Sequence, residues 1–187
     1  MIRMLTFLVL SIMICFCVSC TPSTSTLVYK NPKYDSYQTA RVVVLPFKDA
    51  EAQVGSGEIV SSIFETTLLS TGKFEVVERR QLDKILTEQK LSLSGLIEDP
   101  VSVGKLVKAD VVVIGTITTW FKAGWGSGNT SVGASVKGIH VETGISLWSI
   151  DKTSSATFFG DGLPQNSTCD LVAKKLCREM IDAFMGK

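Results

Sequence analysis

Histidine is almost missing from this sequence: His140 is the only one in 187 residues. A Ser-His-Asp or Cys-His arrangement would have to be built on that one imidazole, and no nucleophile elbow accompanies it. A single histidine also leaves no cysteine–histidine pattern of the zinc-site kind. An excess of charge of one sign is missing too, since the formal net charge is +1. Arg3 is the only charge in residues 1–19, so removing that segment leaves 18 basic against 18 acidic side chains. A body so balanced offers no electrostatic footprint for nucleic acid. Neither a metal, a cofactor nor a small-molecule substrate is implied. What the chain does have is 45% hydrophobic and 20% charged residues, the make-up of an ordinary domain with a core.

Cysteine is scarce and unevenly placed. Cys15, Cys17 and Cys20 stand at the start, Cys169 and Cys177 near the end. If the last two share a helix, about 12 Å of rise separates them, whereas a disulfide needs Cα atoms within about 7 Å. No bridge between them is expected. Residues 1–19 read as a signal peptide: a positive start at Arg3, then an apolar run from Met4 to Val18. That run is shorter than the roughly 20 residues that span a bilayer. It ends in Cys17-Val18-Ser19-Cys20, which resembles a lipobox, with Cys17 standing where leucine is usual and Ser19 as the small residue before the cut. Cys20 is therefore the expected lipidation site. The alternatives are ordinary cleavage, leaving a plain thiol, and an uncleaved anchor. Thr21 to Thr26 is polar and uncharged, as a tether should be. Residues 20–39 are assigned to the lipidated cysteine and tether, and residues 40–187 to one domain. Thr21, in place of the aspartate that usually signals inner-membrane retention, points to the periplasmic side of the outer membrane.

Within the domain, Arg41 to Phe47 is a continuous apolar run, expected as a strand covered on both faces. Gly57 to Thr71 is an amphipathic helix with Ile59, Val60, Ile63, Phe64 and Leu68 in one stripe, stopped by Gly72. Phe74 to Glu78 is a short strand, and Arg79 to Gln89 a helix burying Leu82, Ile85 and Leu86. Asp99-Pro100 caps and opens a short helix through Lys108. Strands follow over Asp110–Phe121, Ser131–Glu142 and Ile145–Ile150, with a bulge expected near Gly138 where the apolar phase switches. Thr168 or Ser167 caps a last helix, burying Ala173, Leu176, Cys177, Met180, Ile181 and Phe184. The order β-α-β-α-α-β-β-β-α implies an α/β sandwich with a mixed β-sheet, antiparallel in its later half.

These pieces, in this order, resemble the CsgG family of curli-secretion lipoproteins. The resemblance rests on Val43-Val44-Leu45-Pro46-Phe47, Phe74-Glu75-Val76-Val77-Glu78-Arg79 and Leu82 to Gln89. Asp110 to Gly115 and Thr143-Gly144-Ile145-Ser146-Leu147-Trp148 complete it. A similar domain occurs in the N-terminal part of TolB and in LpoB. The resemblance implies a non-enzymatic lipoprotein serving an envelope secretion or assembly system, whose partner is an envelope protein or further copies of itself. An LpoB-like regulator docking on a cell-wall enzyme is the alternative, and a small hydrolase the remote one. Pore-forming members insert two β-hairpins per subunit into a transmembrane barrel. A spanning strand needs about 9–11 residues. Only a turn lies between Trp120 and Val132, and Gly160, Gly162 and Pro164 break the stretch before Thr168. Pore formation is therefore not implied.

Alternation places His140 opposite Ile139 and Val141, as a half-exposed strand residue. The glycines 124, 126 and 128 lead into a strand and not a helix, so they make a hairpin turn and not a phosphate loop. Arg79-Arg80 belongs, by the resemblance, to a structural signature. Trp120, Phe121 and Trp125 cluster around that turn. They either pack under the sheet or form a docking surface for a partner.

Overall fold

A computed structural model of the chain describes residues 26–32, 40–88, 99–123, 129–156 and 168–186, except the side chain of Leu86. The elements are β1 (Leu27–Lys30), β2 (Arg41–Val44), α1 (Ser56–Ser70), β3 (Glu75–Val76), α2 (Arg79–Glu88) and α3 (Pro100–Leu106), then β4 (Val111–Phe121), β5 (Thr130–His140), β6 (Ser146–Ala156) and α4 (Cys169–Met185). The six strands form one mixed sheet in the order β1-β6-β5-β4-β2-β3. β2 pairs in parallel with β3 and β4, and the remaining pairs are antiparallel. The expected α/β architecture is thus present, with one addition. Leu27–Lys30, which the sequence reading left to the tether, forms an edge strand against β6.

Two clusters of apolar side chains hold the sheet between helices. The larger joins Val42, Val44, Val111, Val113, Val132, Val136 and Ile150 to Val60, Phe64 and Leu68 of α1 and Val172, Leu176, Met180 and Phe184 of α4. Phe64 and Phe184 both lie against the ring of Trp148, at 6.5 and 5.1 Å between centroids. The smaller cluster, on the opposite face, sets Val43, Leu45 and Val112 against Leu82 of α2 and Val103 and Val107 of α3. β2 is therefore buried on both sides, as its unbroken apolar run requires. This double cover also corrects the reading of β5. The strand keeps its alternation: Val132, Ala134 and Val136 lie in the larger cluster, while Val141, just past the strand's end, joins the smaller one on the other face. The irregularity near Gly138 does exist, but the extra residue is Leu147 of β6.

Local signals explain the helix ends. Asp49 accepts hydrogen bonds from the backbone amides of Gly57 at 2.7 Å and Gly55 at 3.0 Å, which caps the start of α1. Those two amides hold its carboxyl below the ordinary aspartate value. Gly72, past the end of α1, takes the left-handed conformation with φ 65°. Asp99 caps α3 through the amide of Ser102 with Pro100 in the first turn, and the helix ends at Leu106, before Lys108. Thr168 precedes α4 without a side-chain capping bond. Ile59, placed in the buried stripe of α1, is instead 38% exposed, and Ser56 and Ser61 are buried where α1 meets the rest of the fold.

Candidate docking surface

The sheet has two unlike faces, and the candidate residues divide between them. Pairing fixes the division, because directly opposed residues point to the same side. Trp120 opposes Val132, which lies in the larger core, and Trp120 packs partly buried against that core. Phe121 opposes Ser131 and is 51% exposed on the other side. Successive strand residues point oppositely, so these neighbours cannot share a surface. A bulge at Thr118 sets which of them goes inward: Ile117 opposes Ala134, but Thr119 opposes Gly133. Without that extra residue Phe121 would have pointed into the core. Trp125 and the GxGxG run lie outside the described residues, as does Cys20.

On Phe121's side, α2 and α3 cover only the part of the sheet around β2 and the start of β4. The rest is open. Registers across β4, β5, β6 and β1 place Thr116, Ser135, Asp151 and Leu27 in one row, with Ile114, Lys137, Ser149 and Tyr29 in the next. Leu27 is 70% and Tyr29 53% exposed. The surface is thus a Ser/Thr-rich field with Phe121 near one end and Leu27 and Tyr29 on its margin. Leu27 and Tyr29 are not evident as surface residues of a strand from the sequence. Their signal was the short apolar run Leu27-Val28-Tyr29 at the close of the polar tether, too brief to announce a strand by itself.

The residues with possible chemistry are engaged elsewhere. His140 lies on the side opposite Ile139 and Val141, as alternation required. It is only 6% exposed and not half-exposed, because the start of β4 and the Thr143–Gly144 turn close around it. Its Nδ1 sits 2.9 Å from Thr143 Oγ1. Arg79 ties α2 to α1 through Glu58, through Glu65 at 3.8 Å and through Ser61 Oγ at 3.0 Å. Burial pushes the Glu65 carboxyl up, against the pull of Arg79. Cys169 and Cys177 are both unbridged and buried. Burial raises both thiols, that of Cys177 to about 12. Among the described residues, no three His, Cys, Asp or Glu side chains are grouped to hold a metal ion, and no helix is long and apolar enough to cross a membrane.

No curated protein matches the sequence. Several solved structures share the fold. The PelC dodecamer from Paraburkholderia phytofirmans superimposes with a TM-score of 0.59 at 17% identity, covering 84% of this chain and 94% of that one. Lipoprotein GNA1162 from Neisseria meningitidis gives 0.57 at 17% identity, over 79% and 99% of the two chains. The hypothetical protein CT253 from Chlamydia trachomatis gives 0.55 at 13% identity, over 79% and 97%. The family model described as curli production assembly/transport component CsgG matches residues 23–150, from the close of the tether through β6's first half. The chain belongs to the CsgG family.

Proposed function

We propose that this protein is a lipid-anchored, non-enzymatic component of an envelope secretion or assembly system. It is held by Cys20 on the periplasmic side of the outer membrane and docks a protein partner, or another copy, through its β4–β5 hairpin. The observation that carries the reading is the family match over residues 23–150. Phe121, half exposed at the end of β4, supplies the docking residue, with Trp125 as its companion and Trp120 as packing beneath. The non-enzymatic part is supported by His140, buried against Thr143, and by two thiols whose burial suppresses the thiolate.

The protein does not form a pore by itself on this reading. β4, β5 and β6 are each eleven residues long, enough to cross a bilayer. Yet one face of each is already committed to α1 and α4, and the other is covered by α2 and α3 at the start of β4 and carries mainly serine, threonine and charged groups along β5 and β6. Neither face is the apolar band that lipid requires. The test is incorporation of labelled palmitate and fractionation of the cell envelope. Wild-type protein should be labelled and membrane-bound, and Cys20→Ala unlabelled and released. Labelling of Cys20→Ala would overturn the anchor, and discrete channel openings by purified wild-type protein in planar bilayers would overturn the rest.

A further inference from the structure

Lys152 is the only Lys, Arg, Asp or Glu among the buried side chains of the described residues, at 8% exposure. It projects from β6 toward α4. Its Nζ donates to Thr26 Oγ1 at 2.6 Å and lies 3.4 Å from Glu179 Oε2 of α4. Ser154 Oγ donates to the same carboxylate oxygen at 2.5 Å. Burying the lysine of an ion pair costs desolvation that its partly exposed carboxylate partner offsets only in part, so its presence here calls for a positional reason. Thr26 provides one, for it is the last residue of the tether and immediately precedes β1.

We infer that the Lys152–Glu179 clamp fixes where the tether joins the domain, and thereby turns the β4–β5 hairpin end toward the membrane. The inference rests on the reading of Cys20 as the lipidated residue. β1 runs antiparallel to β6 with Leu27 opposite Asp151, so Thr26 stands level with Lys152. Cys20 is six residues away and reaches at most about 20 Å from that point. The hairpin end of the sheet, at Ala156, Thr130 and Phe121, begins four residues beyond Lys152, about 13 Å. The other end, at Ser146, is six residues off, about 20 Å, and the Thr143–Gly144 turn lies farther still. A lipidated Cys20 therefore reaches past the hairpin end but not past the turn. Were β1 unzipped, the free chain to Ala40 would be twenty residues, about 70 Å, and neither end would be preferred. A docking partner would then be met at the membrane surface and not in the open periplasm.

The experiment uses the full acylated chain in vesicles of phosphatidylethanolamine and phosphatidylglycerol containing nitroxide-headgroup lipid as a quencher. A dye is attached through Lys122→Cys at the hairpin end or Glu142→Cys at the far end, both exposed positions. The buried Cys169 and Cys177 compete poorly, since their thiols are raised. The Lys122→Cys dye should be quenched severalfold more than the Glu142→Cys dye. Lys152→Met should abolish the contrast. Thr26→Val, which removes only the acceptor at the tether and leaves the β1 ladder, should reduce it with an unchanged melting temperature. Equal quenching at the two sites, or stronger quenching at 142, overturns the orientation. Full contrast in both variants overturns the clamp. Wild-type protein that carries no acyl chain by mass spectrometry overturns the anchor reading itself and the inference with it.

Discussion

Truncating Trp120 and Phe121 separately should give opposite results. Trp120 opposes the fully buried Val132 and packs at the margin of the larger core. Removing a wholly buried Trp or Phe side chain costs about 3–5 kcal/mol. Trp120 is only partly buried, so Trp120→Ala should cost about 2–3 kcal/mol. For a domain of this size that corresponds to about 4–12 °C in melting temperature. Phe121 keeps 51% of its surface in water. Full burial of such a side chain is worth about 1.5–3 kcal/mol, so Phe121→Ala should cost about 1 kcal/mol or less. If Phe121 anchors a partner, its loss should weaken binding by about 2 kcal/mol or more, roughly thirtyfold. The assays are thermal melts followed by circular dichroism and site-specific photocrosslinking in cells. A lower melting temperature for Phe121→Ala than for Trp120→Ala would refute the assignment of the two residues to opposite faces. Unchanged crosslinking by Phe121→Ala would refute its role in docking.

Other substitutions test other parts of the fold. Asp49→Asn removes the charge that accepts from Gly55 and Gly57, and should cost about 1–2 kcal/mol by melting at neutral pH. Because the folded-state value of Asp49 is depressed, its stabilisation is complete above the ordinary value of about 3.9 and fades as pH falls below it. The difference in melting temperature between wild type and Asp49→Asn should therefore shrink in acid. A difference independent of pH would show that the charge does not matter. Gly57→Ala would place a Cβ against the backbone carbonyl of Phe47, which cannot rotate away. It should cost about 3 kcal/mol, the upper end of overpacking, and a melt within a degree of wild type would disprove the close approach. His140→Ala should lower stability, since it empties a buried site, yet leave any cellular phenotype of the gene intact. Loss of phenotype in a folded variant would revive the enzymatic reading.

Much of this protein was legible in its linear sequence because local physics decided it. The apolar run at Val42–Leu45 required cover on both faces, and two helical layers supply it. Asp99-Pro100 and Gly72 marked helix ends through capping and φ preference, which need no distant partner. The stripe from Ala173 to Phe184 buried as its 3.6-residue spacing demanded. Other features depended on contacts between remote segments. Four residues after a polar tether become a strand only because β6 presents an open edge to them. His140 is buried by the start of β4 and by its following turn, neither of which alternation describes. Trp120 and Phe121 looked like one aromatic cluster, and a single extra residue at Thr118 decides which is packed and which is exposed. A bulge is a property of the pairing between two strands, so neither strand's sequence specifies it alone. The Lys152–Glu179–Thr26 contact joins residues far apart in the chain, and only the packing of α4 on β6 brings them together.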